Sequence, residues 1–537
     1  MKLKTTMILA VAGILASAAG AFAIPMHSGA GTTATADPSI ATTDLRAGSN
    51  DPKDPSRLTA GDTLAIDARL GHASIAKNAR GETFLFAQVG AADEKDAAVK
   101  AAPPMNLALV IDRSGSMKGE RIANAMNAAV SAIERLRDGD SVTVVAFDTV
   151  AKVIVAPKRV SAGSRAQMEN AIRSIRLGGD TCISCGMQEA MQQLAQTSLN
   201  GDRVNRMILL SDGATNAGIK DMPGLRAMAG RMSGKGVSIS TIGVDVDFDE
   251  KVMAALANEG NGRHYFVANA SGLPAVFSQE FDDLLASVAK DAQLSIELAP
   301  GVEVAEVFDR TFRREGNRII VPFGTFSSKQ EKTVLVKLRV PADRDGSQPV
   351  ADVKLAYRDL VKKSDASASG SLAVLVKSDG SEQRDLDPFV AARVERSRTA
   401  LTLTEANKLF EAGRVDEARA KLATRKTDLK KTGDDALALA AARPTTIAPA
   451  RASRSLDRDF EEQAGAIANA EKNFAQPPTG GFGGGSGRTA SPAADAFGNS
   501  PAVAAAPPAP AASVAPGSRA GKAQVRVNQQ QASEFGF

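Results

Sequence analysis

The chain has 537 residues, which is enough for two or three domains of typical size. Aromatic residues make up 4% of it, with no Trp and two Tyr, so exposed aromatic faces on which bases or sugars could stack are scarce. With 65 basic and 61 acidic residues the formal charge is +4, which excludes the strongly basic balance typical of nucleic-acid-binding domains. We therefore expect no nucleic acid partner.

Residues 1–23 have the three parts of a signal peptide. Lys2 and Lys4 form a basic start, residues 7–18 are apolar, and Ala21-Phe22-Ala23 fits the small-x-small cleavage rule. The apolar run is too short to span a bilayer comfortably, and no later stretch is as long and apolar as a membrane helix. We expect an exported protein, periplasmic, on the cell surface or secreted, with no transmembrane segment after signal cleavage.

The strand pattern occurs in two separate parts of the chain. Residues 24–58 are rich in Ala, Thr, Gly, Ser and Asp without periodicity, which predicts a flexible linker. Apolar and polar residues then alternate at 63–70 and 82–89, as in half-buried strands, and strand patterns return after residue 290. We predict one β-sandwich, with its first part at 59–102 and its second at 290–380, interrupted by an inserted domain.

The inserted domain, residues 103–289, alternates strands and helices. Continuous apolar runs at 107–111 and 206–210 are typical of strands covered on both faces, and residues 119–136 place apolar side chains on one helical stripe. A further helix is predicted over 165–175. The fold class is therefore α/β, a doubly wound and mainly parallel sheet of the Rossmann-like kind, inserted in a β-sandwich.

The C-terminal third changes composition twice. Residues 386–443 are predicted to form a helical hairpin region, and 406–418 resemble the helix–turn–helix step of a tetratricopeptide repeat. A single such unit cannot bury its apolar face alone, so we expect it to pack on the sandwich or on a partner. Residues 444–537 are rich in Ala, Pro, Gly and Ser, which predicts a low-complexity disordered tail.

Three polar clusters follow strands or precede a helix in the α/β domain, where such sheets bind ligands. Asp112-Arg113-Ser114-Gly115-Ser116 and Ser211-Asp212-Gly213 each follow a buried strand, and Gly178-Gly179-Asp180-Thr181 lies before a helix. Together they offer carboxylate and hydroxyl oxygens, which suit Mg²⁺, Ca²⁺ or Mn²⁺ and not soft metals. The predicted ligands of this divalent cation are Asp112, Ser114, Ser116, Thr181 and Asp212.

In this order the three clusters resemble the von Willebrand factor type A domain and its metal-ion-dependent adhesion site. The resemblance covers roughly 105–289, and the strands that flank this range resemble the arrangement in bacterial exported members. It implies that Ser114, Ser116 and Thr181 ligate the cation directly, with Mg²⁺ first and Ca²⁺ or Mn²⁺ as alternatives. It also implies that Asp112 and Asp212 act directly or through water, and that a carboxylate from a protein partner completes the shell.

Two features depart from the family pattern. Asp180 stands where a small polar residue is common; we expect it to cap the following helix or to face solvent, and the alternative is an added negative charge near the ion. Cys182 and Cys185 are the only cysteines of the chain. Three interpretations of that pair are open, namely a local disulfide that stiffens the Thr181 loop, a redox pair, and two free thiols.

The sequence offers little for catalysis. It has no G-x-S-x-G elbow and no phosphate-binding P-loop, and none of its three histidines is placed as a base for Ser114 or Ser116. Residues 245–250 resemble part of a calcium loop but lack its glycine and distal glutamate, so Asp249 and Glu250 are expected to begin a helix.

We predict a non-enzymatic protein that binds a partner's acidic side chain through the cation. The alternatives are an envelope scaffold with a stabilising metal, and a metal-dependent hydrolase.

Overall fold

The computed structural model describes residues 43–44, 49–50, 54–93, 103–197, 203–246, 248–308, 310–378, 386–442, 449–475 and 515–536. The predicted signal peptide, 1–23, lies outside these residues. In the described part of the chain, no helix is both long and apolar enough to cross a membrane.

The described part of the chain starts with strands of the sandwich, and the first of them lie earlier than predicted. Two short strands and the first residues of a third fall within 24–58, which we had predicted to be a linker. Two-residue strands carry no periodicity that a sequence could show, so this prediction was wrong for them. The six strands are β1 (Thr43–Asp44), β2 (Ser49–Asn50), β3 (Arg57–Gly61), β4 (Leu64–Leu70), β5 (Ser74–Ala76) and β6 (Glu82–Ala91).

The central α/β domain follows. Its strands are β7 (Met105–Asp112), β8 (Ser141–Phe147), β9 (Ala151–Arg159), β10 (Val204–Ser211), β11 (Val237–Val244) and β12 (Asn261–Val267). Its helices are α1 (Glu120–Arg135), α2 (Ala162–Arg173), α3 (Ile183–Ala195), α4 (Met222–Ser233), α5 (Glu250–Glu259) and α6 (Leu273–Leu285), with short 3-10 helices at Gly115–Met117 and Ala270–Gly272.

One twisted sheet organises this domain, with strand order β12-β11-β10-β7-β8-β9. All neighbouring strands are parallel except β8 and β9, which are antiparallel. Every residue of β7, β8 and β11 is buried, because α1, α2 and α6 cover one face of the sheet and α3, α4 and α5 cover the other. The predicted doubly wound, mainly parallel fold is confirmed, and β9 is a strand that the sequence analysis missed.

Helix starts depend on capping residues. We predicted a helix from residue 165, whereas α2 begins at Ala162 because Ser161 and Ser164 form a capping box at its N-terminus. The Asp249 side chain accepts a hydrogen bond from Val252 N, so Asp249 caps α5 and Glu250 begins it, as expected.

The second part of the sandwich begins directly after α6. Its strands are β13 (Ser287–Leu298), β14 (Glu303–Phe308), β15 (Arg313–Glu315), β16 (Arg318–Ser327), β17 (Glu331–Arg339), β18 (Gly346–Asp359) and β19 (Ser364–Lys377). One sheet has the order β1-β19-β18-β13-β16-β15, with β5 beside β19, and the other β14-β17-β6-β4-β3-β2. Both sheets mix strands from before and after the α/β domain around one apolar core, so that domain is inserted in the sandwich.

Four helices form the C-terminal part. They are α7 (Pro388–Glu411), α8 (Val415–Ala442), α9 (Pro449–Ala475) and α10 (Arg519–Gly536). The first two lie within the predicted hairpin region, and α7 packs on the sandwich through Val390 and Val394, which contact Phe86 and Leu335. The apolar faces of α7 and α8 also form a core with α9 and α10.

Helices α9 and α10 correct the prediction of a low-complexity tail from residue 444. In α9, buried Phe460, Ile467 and Phe474 recur every seven residues, so they share the face that packs on α7 and α8. The rings of Phe410 and Phe474 stack with their centroids 4.3 Å apart. The prediction of a tail was based on the average composition of residues 444–537, which does not reveal this local spacing. The part between the two helices, 476–514, lies outside the described residues.

Candidate metal site

The site begins where two adjacent strands end. Asp112 is the last residue of β7 and Ser211 the last of β10, and the parallel register pairs Ile111 with Leu210 one residue earlier. Consequently the two side chains lie side by side, and Ser211 Oγ donates a hydrogen bond of 2.5 Å to Asp112 Oδ2. Ser211 was not among the ligands predicted from the sequence. In the structure it orients the Asp112 carboxylate.

The turn after β7 brings two hydroxyls to the same point. Ser114 N donates to Asp112 Oδ1 at 2.8 Å, which fixes the start of the turn. The Ser114 and Ser116 hydroxyl oxygens are 3.0 Å apart, and Ser116 Oγ donates to Asp212 Oδ1 at 2.7 Å. Four of the five predicted ligands therefore form one hydrogen-bonded chain.

The fifth predicted ligand, Thr181, reaches the site through the loop before α3. Asn216 fixes its backbone, because Asn216 Oδ1 accepts from Thr181 N at 2.7 Å and Asn216 N donates to Thr181 O at 3.0 Å. A Cβ atom on Gly213 would lie 3.5 Å from both Ser116 Oγ and Thr181 Oγ1, so these two hydroxyls flank one small space. Thr181 Oγ1 makes no hydrogen bond with the described residues, so its lone pairs remain available.

A glycine is required in this loop at position 178. A Cβ atom there would lie 1.5 Å from Asp148 Oδ2, inside the carboxylate that pairs with Arg113 at 2.6 Å. Gly178 N also donates to Arg113 O at 2.7 Å, and Gly115 N to Gly179 O at 3.1 Å. These contacts hold the loop before α3 against the loop after β7, and thereby hold Thr181 near Ser114 and Ser116.

The two carboxylates of the site are buried close together. Asp112 is 0% and Asp212 1% exposed. The pKa of Asp112 is raised to about 6, chiefly by burial and also by the neighbouring charge of Asp212, while hydrogen bonds from Ser211 and Ser114 oppose the rise. Burial also raises the pKa of Asp212. Ionising both groups in this environment is unfavourable, and a bound cation would offset that cost.

An arginine that the sequence analysis did not identify lies beside Asp212. Arg121 Nη1 is 2.8 Å from Asp212 Oδ2 and donates to Ser116 O, and Arg121 Nη2 pairs with Asp245. Asp245 also pairs with Arg519 of α10 at 3.1 Å. Arg121 neutralises part of the buried negative charge at Asp212 Oδ2, the carboxylate oxygen that does not accept from Ser116 Oγ. The sequence carried no signal for it, because the two acids lie more than ninety residues away along the chain.

The donor set fits a small, hard cation. Ligands about 2.1 Å from Mg²⁺ in an octahedron have neighbours about 3.0 Å apart, and the Ser114 and Ser116 hydroxyl oxygens have this separation. Asp112 already accepts a hydrogen bond at each of its oxygens, which suits a role behind a ligating water. In the described part of the chain there is no group of three or more His, Cys, Asp or Glu side chains that could hold a metal, so this site is rich in hydroxyls rather than carboxylates.

Cys182 and Cys185 lie immediately after Thr181 and are joined by a disulfide. Cys182 is buried and is the N-cap of α3, where its sulfur accepts a hydrogen bond from Cys185 N. Asp180 therefore does not cap that helix. It is exposed, its N donates to Thr149 Oγ1 at 3.0 Å, and its Oδ1 accepts from Asn216 Nδ2 at 3.4 Å.

Comparisons with known proteins agree with the fold. Residues 106–279 match the von Willebrand factor type A domain, and the chain therefore contains a domain of this class. A solved von Willebrand factor type A protein from Catenulispora acidiphila superposes with a TM-score of 0.59 at 18% identity, over 75% of this chain and 93% of that one.

Two curated relatives match part of the chain. The uncharacterized protein sll0103 of Synechocystis is 29% identical over 266 residues, which are 48% of this chain and 62% of that one. Inter-alpha-trypsin inhibitor heavy chain H2 of Mus musculus is 24% identical over 227 residues, 41% of this chain and 24% of that one. The chain thus spans less than two thirds of the length of either relative. Domains of the matched class generally mediate protein–protein interactions.

Proposed function

We propose that this chain is an exported protein that binds a protein partner through a divalent cation, with Mg²⁺ first and Ca²⁺ or Mn²⁺ as alternatives. Ser114, Ser116 and Thr181 would hold the cation directly, and Asp112 and Asp212 would act mainly through water. The bound cation would supply a Lewis-acidic position for a carboxylate oxygen of the partner. In this role the chain would use the family's metal-ion-dependent adhesion site.

The observation that carries the proposal is the arrangement of the three hydroxyls. Two of them are spaced as neighbouring ligands of one ion, and the third, on Thr181, makes no hydrogen bond with the described residues. Hydroxyls add no formal charge, so the cation would keep most of its charge and attract a further anionic ligand. A cage of several carboxylates would instead neutralise the ion and favour a purely stabilising role.

The rim of the site suits a partner with apolar residues beside its acidic group. Val150 is 60% and Leu177 39% exposed, and they are two of the five large hydrophobic side chains exposed in the described part of the chain. Val150 follows Thr149, which accepts a hydrogen bond from Asp180 N, and Leu177 precedes the loop that holds Thr181. Burying these side chains on binding would add a hydrophobic contribution to the carboxylate–cation contact.

Two features support a place outside the cytoplasm. Residues 1–23 have the pattern of a signal peptide. The Cys182–Cys185 disulfide would persist in an oxidising compartment, whereas cytosolic thiols are usually kept reduced.

A binding role is also favoured over hydrolysis. Of the described histidines, His72 contacts Thr83 and His264 contacts Thr241, and neither contact involves the predicted ligands. The site thus brings no imidazole to activate water, and its carboxylates are engaged by serine and arginine donors.

The test is retention of envelope proteins on the immobilised chain, with Mg²⁺ or with a chelator. Wild type is expected to retain a partner only with Mg²⁺, and Thr181→Val is expected to retain about tenfold less, because valine matches threonine in shape and removes only a cation ligand. Thr424→Val, on the exposed face of α8, is the matched control and should behave as wild type.

Equal retention with Mg²⁺ and with the chelator would contradict the proposal. If Mg²⁺ raises the melting temperature of wild type but changes no retention, the metal stabilises the fold and the scaffold alternative is correct.

A further inference from the structure

A cavity of about 580 Å³ lies along β12, the edge strand of the central sheet, away from the candidate metal site. Helices α5 and α6, the strands β16 and β17 of the sandwich, and α10 surround it. Its size falls within the range of about 300–1,000 Å³ found for small-molecule sites. Such sites often lie where structural units meet, and here the α/β domain, the sandwich and the C-terminal helix all contribute to the walls.

The walls of this cavity carry four basic side chains, namely Arg206, Arg263, Arg310 and Lys332. Arg263 pairs with Asp283, and Arg206 Nε is 3.6 Å from Glu280 Oε1. The pairing of Arg206 is incomplete. Its buried Nε has no hydrogen-bond acceptor among the described residues, since Glu280 Oε1 lies beyond hydrogen-bonding distance. The Glu280 oxygens accept from Ser240 Oγ and Tyr265 OH.

The Lys332 amine lies in the cavity wall without a paired carboxylate in the described part of the chain. Its Nζ donates to Phe323 O at 2.7 Å and to Thr325 O at 2.9 Å, and it lies 4.9 Å from the centre of the Phe326 ring. A bound anion would favour the protonated amine, which has three donors, so one would remain for that anion. The guanidinium of Arg310, the fourth basic side chain, lies over the Phe323 ring.

The surroundings of Lys332 disfavour the charged form of its amine. Burial lowers the pKa of the Lys332 amine, and the positive charges of Arg310, Arg206 and Arg263 lower it further. A bound anion would raise this pKa again and favour the charged amine.

His264 adds a hydrogen-bond acceptor to the same cavity. The Thr241 hydroxyl donates its only hydrogen to Met253 O at 2.9 Å, so His264 Nδ1, 2.9 Å from Thr241 Oγ1, must be the donor to that oxygen. Burial lowers the pKa of His264 to about 3, so the ring is neutral and Nε2 carries a lone pair. This buried Nε2 has no partner among the described residues.

From this geometry we infer that the cavity binds a small hydroxylated anion, with a carboxylate or phosphate group at Lys332, Arg310 and Arg206 and a hydroxyl hydrogen donated to His264 Nε2. The ligand would bridge the α/β domain and the sandwich. It would also contact α10, whose Gln530 and Ser533 line the cavity. This site does not depend on the proposed cation site.

Isothermal titration calorimetry of the full chain tests the inference, with L-malate and glycerol 3-phosphate as separate probes. The buffer contains chloride and a chelator, so that no divalent cation can link a probe to Ser114 or Ser116. Binding of malate alone would identify a carboxylate site, binding of glycerol 3-phosphate alone a phosphate site, and binding of both a general anion site. Absence of binding by both at about 10 mM would overturn the inference.

Variants localise the binding. Lys332→Met is expected to weaken binding about tenfold, and Lys337→Met, the same replacement on the same strand, is expected to leave it within about twofold of wild type. His264→Phe removes the acceptor and should weaken either probe about fivefold; it is the second test if Lys332→Met does not fold. Wild-type affinity in folded Lys332→Met or His264→Phe would place the probe elsewhere and overturn the inference.

Discussion

Asp112→Asn is expected to bind Mg²⁺ about a thousandfold more weakly than wild type in isothermal titration calorimetry. A carboxylate about 4 Å from a divalent ion interacts with it by about 8 kcal/mol at an effective dielectric constant of 20, and losing half of that is equivalent to about a thousandfold in affinity. The replacement keeps the shape of the side chain. The Asn carbonyl can still accept from Ser114 N, and the Ser211 hydroxyl can turn to accept from the amide. Cation affinity should therefore fall without loss of the fold.

Asp138→Asn is the matched control for that measurement. Asp138 is exposed, pairs with Arg165 and lies between α1 and β8, at the opposite end of the strands from the candidate site. The Asp138→Asn variant should bind Mg²⁺ with the affinity of wild type. An Asp112→Asn affinity within tenfold of wild type would mean that the ion binds elsewhere or that Asp112 does not contribute to its binding.

Phe474→Ala is expected to lower the free energy of unfolding of the helical region by about 3–5 kcal/mol, measured by urea denaturation followed by circular dichroism. Phe474 is completely buried and stacks on Phe410, which is also completely buried, between α9 and α7. Truncation would remove this ring contact and leave a cavity in the core that α7 to α10 share.

Leu401→Ala provides the comparison for that loss. Leu401 lies on α7 like Phe410 but is 61% exposed, so its truncation should change the unfolding free energy by less than about 0.5 kcal/mol. Equal effects of the two substitutions would show that α9 does not pack on α7 in solution.

The predicted ligands could be read from the sequence because each belongs to a short pattern fixed by a strand or helix terminus. An apolar run that ends in Asp112 predicts a buried strand followed by a polar turn, and the same holds for Asp212. In a parallel sheet the carboxyl ends of the strands lie at one edge, so the fold class places both patterns there. The strand order, which makes β7 and β10 neighbours, then brings them together. The structure brings Asp112, Ser114, Ser116 and Asp212 together in this way, with Thr181 beside them.

The contacts that the sequence did not reveal connect residues that are distant along the chain. Arg121 joins Asp212 and Asp245 only because α1 and two strand ends converge, and no local spacing encodes that convergence. The helix α10 was missed for a related reason. Its Arg526 pairs with Glu250 of the α/β domain at 3.1 Å, and its Asn528 bonds to Asn407 of α7 at 2.9 Å, so long-range contacts hold it in a segment whose composition predicts disorder.

The most direct measurement is a crystal structure of the chain grown with Mn²⁺, whose anomalous scattering locates the ion. We predict an anomalous peak about 2.1–2.2 Å from Ser114 Oγ, Ser116 Oγ and Thr181 Oγ1, with an acidic side chain of a partner or a water in the remaining position. A structure without that peak, or with the ion bound away from these three hydroxyls, would contradict the proposed role of the site.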